Sequence, residues 1–236
     1  MKNSITCPHC KSDNAFYNVT CNKCGYYLRD KIYNIDLWSI IIKLIDNPSK
    51  AFRNIIYAEH KNFIFFILLF ISAKVLINSR FLSMVSVGEF QTTLELFFSY
   101  LIVLVSVLIF FIVFTFAYKS LCIFQSVHFR FADIISLIIY SQIPFVFGLI
   151  ILFPLELVIF GDYLFSINPS PFLIKGSIAY LFLVMELALI LWNIFLTFLA
   201  FKVHSHNLIL STVVTISFVV LFWVLIYFCS VIIFTI

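Results

Sequence analysis

Five long apolar stretches, near residues 62–78, 94–117, 134–160, 178–201 and 208–235, decide most of what this chain can become. A helix crosses a bilayer with about 20 apolar residues, in a range of roughly 17–25. Backbone in hydrocarbon must satisfy its own hydrogen bonds, and a helix does so within one segment. Composition agrees. Of the 236 residues, 63% are hydrophobic and 11% charged, and the mean hydropathy is +1.12. Soluble domains average about 45–50% apolar and about 25% charged. The expected fold class is an all-α membrane protein, a five-helix transmembrane bundle over 62–236, with the lipid bilayer as its first partner. The net charge of +4 is too small to argue for nucleic acid.

The spans differ in detail. The first is the shortest and carries Lys74. The third contains Pro144, Gly148 and Pro154. Proline removes a backbone donor and clashes with the preceding turn, so this span is expected to kink or to end near Pro154. Only Lys202 to Asn207 separate the last two spans, which therefore form a tight hairpin. Lys and Arg set orientation, because cytoplasmic segments carry the excess. With the N-terminus inside, twelve of the fifteen fall on the inner side, and Lys74, Arg80 and Lys175 fall in the outer half. The expected location is the cell membrane, multi-pass, with a cytoplasmic N-terminus and the C-terminus outside. The polar first forty residues do not read as a secretion signal.

Residues 1–31 hold four of the six cysteines. Cys7-Pro8-His9-Cys10 and Cys21-Asn22-Lys23-Cys24 are two C-x-x-C knuckles, ten residues apart. Four thiolates from two such turns close a tetrahedral shell around zinc, and the metal would supply most of the folding energy of so small a segment. Gly25 suits the turn after the second knuckle. A zinc-ribbon-like β knuckle domain with Cys7, Cys10, Cys21 and Cys24 as metal ligands is the expectation. Spacing alone leaves iron open, His9 is an alternative ligand, and a reducing compartment disfavours disulfides. Four protein ligands leave no open metal position for catalysis. Cys122 and Cys229 lie in apolar runs and read as core residues.

Residues 32–61 read as two short amphipathic juxtamembrane helices. Leu37, Ile40, Ile41, Leu44 and Ile45 recur at helical spacing. Asn47-Pro48 reads as an N-cap with proline at the first helical position, and Phe52, Ile55 and Ile56 share a face. These helices either lie in the headgroup plane or pack on the ends of the spans.

Lys74, Glu95, Glu156 and Glu186 fall in or beside the spans, where ionisable groups are costly and mark functional candidates. Lys74, Glu156 and Glu186 form a possible intramembrane polar site for protons or a cation. The alternatives are snorkelling of Lys74 and Glu95, and interhelical hydrogen bonds from the other two. His204 and His206, with Lys202, lie in the inner hairpin, where paired histidines could bind metal but read as solvated loop residues; His128 and Arg130 sit at the other inner loop. No G-x-S-x-G, H-E-x-x-H, Walker A or G-x-G-x-x-G pattern is present, and no enzyme is implied.

Three phrases carry a family resemblance. Asn47-Pro48-Ser49-Lys50-Ala51-Phe52-Arg53 precedes the first span, Tyr140-Ser141-Gln142-Ile143-Pro144 lies in the third, and Trp192 leads to Lys202-Val203-His204 before the last. Together with the five-span order they resemble the Yip family of Ypt/Rab-interacting-type membrane proteins, over about residues 36–235. The N-terminal knuckles lie outside that resemblance and look like a zinc-ribbon attachment of prokaryotic membrane proteins. The resemblance implies a helical bundle with a cytoplasmic N-terminal region and no catalytic residues, and Rab binding is not carried over. The expected function is a non-enzymatic scaffold or adaptor with a protein partner at the zinc knuckle, and an oligomer is left open. The alternative is a small membrane transporter or channel using Lys74, Glu156 and Glu186.

Overall fold

A computed structural model describes residues 4–87, 95–124 and 130–234; His128 lies outside them. The chain divides into two compact units. One comprises Met1–Ile64, Phe111–Ser141 and Leu196–Ile216, the other Phe65–Phe110, Gln142–Phe195 and Ser217–Ile236.

The first unit begins with β1 (Ser4–Thr6) and β2 (Asp13–Ala15), antiparallel with Ile5 opposite Asn14. Then β3 (Ile32–Asn34) leads through helices α1 (Leu37–Asp46) and α2 (Pro48–Tyr57) to β4 (Ala58–His60). β3 and β4 pair in parallel, which requires a crossover connection; the two helices provide it. The Asn47 side chain accepts from the Lys50 amide at 3.1 Å, with Pro48 in the first turn, as the cap signal predicts. α2 buries Ala51, Phe52, Ile55 and Ile56 completely, packing on α5 (Phe131–Ser141), the start of the third span.

Five helical spans match the five apolar stretches: Ile64–Met84, Leu96–Ile123, Phe131–Phe165, Gly176–Ser205 and Leu208–Phe234. Between 22% and 39% of the residues in an apolar stretch of each span are buried by protein. The remaining apolar surface needs hydrocarbon as its solvent. The first helix, α3 (Ile64–Val87), runs well past the expected end at residue 78. The polar run Asn78-Ser79-Arg80 does not stop it. Ser79 Oγ donates back to Val75 O at 2.8 Å and lies 3.3 Å from Ile226 O, so its polarity is met inside the bundle. Arg80, expected beyond the span, sits within the helix, 5.1 Å from the Phe234 ring centroid.

The second span is α4 (Leu96–Phe124), a continuous helix. The third is broken as its prolines predict. After α5 the chain interrupts at Gln142. It continues as α6 (Ile143–Phe147), a π-helical turn Gly148–Leu152, α7 (Phe153–Phe160) and a 3₁₀ turn Gly161–Phe165. Pro154 has no N–H to return to the preceding turn, and the Phe153 amide reaches back to Gly148 O, the wider spacing of a π-turn. Asn193 Nδ2 donates to Gln142 Oε1 at 2.9 Å, fixing the interruption to the fourth span. A short helix α8 (Pro171–Ile174) precedes α9 (Gly176–Ser205) and α10 (Leu208–Phe234). The α9–α10 turn is tighter than expected. His206 takes φ +52°, and Asn207 Oδ1 caps α10 by accepting from Ile209 and Leu210 at 3.0 and 3.2 Å. Cys122 and Cys229 are buried, as expected.

Candidate metal centre and intramembrane charge cluster

The two C-x-x-C turns are built alike. In each, the amide of the residue after the second cysteine donates to the carbonyl of the first: Lys11 to Cys7 at 2.9 Å, Gly25 to Cys21 at 3.0 Å. Lys11 and Gly25 both take positive φ, +54° and +70°. The first turn closes the β1–β2 hairpin. The second is framed by the Thr20–Tyr27 bridge and the 2.8 Å bond from the Cys21 amide to Tyr26 O. Asn14, almost wholly buried, joins them: its Oδ1 accepts the Asn22 amide at 2.9 Å.

The four sulfurs of Cys7, Cys10, Cys21 and Cys24 lie within 4.8 Å of one another. Cys7 and Cys24 stand 3.7 Å apart and Cys10 and Cys21 3.6 Å. A tetrahedron with about 2.3 Å metal–sulfur bonds has edges of about 3.8 Å, whereas a disulfide needs about 2.05 Å. The cysteines are free thiols, and their spacing fits a four-sulfur metal shell. Donors surround the sulfurs as well. Ser12 Oγ lies 3.0 Å from Cys10 Sγ and 3.2 Å from Cys21 Sγ, and the Lys23 amide is 3.4 Å from Cys21 Sγ. The Ser12 hydroxyl is the main reason the Cys21 thiol falls to about 5, whereas burial and the neighbouring sulfurs push the Cys24 thiol up to about 12, so the protein surroundings by themselves favour the thiolate at Cys21 and not at Cys24. His9 is not in the cluster. It is exposed and stacks on Tyr26, with centroids 5.7 Å apart at 10°.

One side of this module is seated within its own unit. Phe16 packs edge-on against His204 and His206 at 6.0 and 6.1 Å and lies 6.5 Å from Tyr57. The Tyr17 ring covers the Arg130 guanidinium at 4.5 Å, and the Tyr57 ring covers Arg29 at 4.1 Å. His204 is therefore not a solvated loop residue. It is wholly buried, and its Nδ1 is 3.0 Å from the Tyr118 hydroxyl. The loop expectation fails because α9 continues through Ser205. On the other side His9, Lys23, Tyr26 and Tyr27 are exposed.

A charge node that the sequence reading missed lies beside α2. Asp133, 1% exposed, receives Lys61 Nζ at 2.9 Å and Arg130 Nε and Nη2 at 2.8 and 3.1 Å. Arg130 also donates to Ile56 O at 2.7 Å, and Lys61 donates to Ile55 O and Ile56 O. These are carbonyls of the last turn of α2, where cations are favoured. An acidic residue opening an apolar run, three residues after an arginine, was the available signal.

In the second unit Lys74 Nζ meets Glu186 Oε1 at 2.6 Å, with the lysine 2% exposed. The Gly148 π-turn lies against the lysine stem. A Cβ there would stand 3.1 Å from Lys74 Cε and 3.3 Å from Leu189 Cδ1. A small cavity beside the pair is lined by Lys74, Pro144, Phe145, Glu186, Leu189 and Ile190. Glu156 is buried and interacts electrostatically with both partners, and its Oε2 has no hydrogen-bond partner among the described residues. The three residues singled out by position thus share one neighbourhood. Glu95 is exposed at the start of the second span, where snorkelling would leave it.

The Yip1 domain family model matches residues 42–233. This chain belongs to the Yip1 domain family. The Yip1 match covers most of the chain, starting inside α1 and ending in α10. It leaves out the four knuckle cysteines and includes Lys61, Lys74, Asp133, Glu156 and Glu186. No curated protein and no solved structure matches the chain.

Proposed function

We propose that this Yip1-family chain is a non-enzymatic membrane scaffold whose residues 1–31 hold one structural zinc and dock a protein partner on the cytoplasmic side. In this reading residues 32–61 are the juxtamembrane connection, and 62–236 anchor the protein in the cell membrane with the C-terminus outside. The observation that carries it is the cluster of the Cys7, Cys10, Cys21 and Cys24 sulfurs, all within 4.8 Å of one another, with the Cys7–Cys24 and Cys10–Cys21 separations suited to a zinc shell. Zinc held there would have four protein ligands and no water position, the arrangement of a structural site. Phe16 and Tyr17 seat the module, which leaves His9, Lys23, Tyr26 and Tyr27 to meet a partner. Elemental analysis of detergent-purified protein is expected to find about one zinc per chain, lost in Cys21→Ser plus Cys24→Ser. Iron, or no metal, would sink the structural-zinc reading. A photo-crosslinker replacing Tyr26 should trap a defined partner in cells, and Cys7→Ser plus Cys10→Ser should abolish the adduct. An unchanged adduct in that mutant would remove the docking role.

A second reading, a small transporter or channel, is favoured by one observation: the unpartnered Oε2 of buried Glu156 beside the Lys74–Glu186 pair. Proteoliposomes loaded with a pH-sensitive dye or with a monovalent cation should then show flux that Glu186→Gln abolishes. Flux indifferent to that change removes its residue-level basis.

A further inference from the structure

α1 and α2 are both amphipathic, but they use their apolar residues differently. α2 leaves no large apolar residue exposed, whereas α1 buries Ile40 and Leu44 and leaves Trp38 74%, Ile42 57% and Ile45 60% exposed. At about 100° per residue, those three fall on one arc of about 60°. On one side of that arc half-buried Ile41 and Leu37 lead round to the buried face of Ile40 and Leu44, nearly opposite it. On the other lies a polar strip of Ser39, Lys43 and Asp46, where Lys43 Nζ donates to Ser39 Oγ at 2.7 Å. A helix packed on a protein body and otherwise facing water needs two faces, one apolar and one polar. α1 has three: one for α2, one polar, and one exposed and apolar between them.

We propose that this third face is an interfacial anchor: Trp38, Ile42 and Ile45 insert at the headgroup–acyl boundary of the bilayer that the spans occupy. The place of α1 beside the start of a span points to lipid as the occupant. α1 packs on α2, and α2 packs on α5, where the third span begins, which ties α1 to the end of that span. Trp38 is the residue type that concentrates at membrane–water interfaces. The polar strip, next to the lipid-facing arc, then points to water. Lipid insertion of this face does not depend on the zinc reading or on the intramembrane charges.

The test uses the full chain in phosphatidylcholine–phosphatidylglycerol vesicles, with or without acyl-chain-brominated phosphatidylcholine. Tryptophan emission is compared between wild type and Trp38→Phe, the difference being Trp38's share. Bromine on the upper acyl chain should remove about half of that share and aqueous iodide almost none, as for a helix buried about 5–10 Å into the interface. Ile42→Trp in the Trp38→Phe background should respond in the same way. If iodide quenches and bromolipid does not, the face meets water and the anchor is overturned. If neither quenches, protein covers it, and the lipid assignment is equally wrong.

Discussion

Asp133 is a buried carboxylate and Glu186 a half-buried one; each meets a lysine, yet their surroundings differ in completeness. Both Asp133 oxygens are engaged, and its cations also satisfy the last carbonyls of α2. The Lys74–Glu186 pair has Glu156 beside it with an oxygen that bonds to nothing described, next to a small cavity. Desolvating a charge costs several kcal/mol, and only good geometry with further hydrogen bonds offsets it. A completed node acts as a joint. An incomplete one keeps capacity that a ligand or a proton can still use.

The largest effect should come from breaking the joint. Asp133→Ala leaves Lys61 and Arg130 facing each other without a carboxylate, and burial already pulls the Lys61 amine below its ordinary range. The expected destabilisation is about 3–5 kcal/mol, read by thermal unfolding in detergent. A loss under about 1 kcal/mol, the range of an exposed pair, would mean that Asp133 is no joint and would collapse the contrast.

The next effect tests redundancy at the incomplete node. Glu186→Gln should cost less than the loss of Asp133, because Glu156 remains within electrostatic reach of Lys74. Removing both carboxylates, with Glu156→Gln added, should exceed the sum of the single changes by about 0.5–3 kcal/mol. Additive single effects would show that Glu156 does not share the lysine, and the site would reduce to an ordinary pair.

Hydropathy revealed the spans and cysteine spacing revealed the metal centre because both depend on short-range pattern. Lys74, Glu156 and Glu186 were visible because a charge in an apolar run stands out. Their pairing was not, since Lys74 and Glu186 are 112 positions apart. Asp133 escaped because it sits at the edge of a run, where a carboxylate looks solvated, and its meaning depends on Lys61. The length of α3 and the burial of His204 were misjudged for one reason. Polar residues were read as helix ends or loop, while Ser79 and His204 find partners inside the protein. Trp38, Ile42 and Ile45 were seen or passed over as part of a helix, but which face meets α2 depends on packing.

Gly148→Ala sharpens the comparison at about 1 kcal/mol, the scale of mild overpacking. The backbone there has φ −57° and ψ −39°, which alanine accepts, so the cost lies in the space taken by Lys74 and Leu189. Lys74→Ala removes the nearer neighbour. In that background Gly148→Ala should be neutral or stabilising by up to about 1 kcal/mol, the helix-propensity gain. An equal penalty in both backgrounds would show that the π-turn itself rejects a side chain and that the glycine is not there to admit the lysine.

The smallest effect belongs to an ion pair with neither burial nor a network. Lys31 Nζ and Glu59 Oε2 are 2.7 Å apart where β3 and β4 begin, with side chains 39% and 46% exposed. The lysine's hydrogen bond holds the Glu59 carboxyl below its ordinary range. Any stabilisation from this lowered carboxyl is therefore present above the unfolded value and is lost as pH falls through the folded one. Water and salt screen such pairs, so Lys31→Met should leave the melting temperature unchanged within error, at neutral pH and in acid alike. A clear drop that vanishes in acid or high salt would put this exposed pair beside Asp133 among the joints. Burial would then no longer separate charges that hold the fold from charges that decorate it.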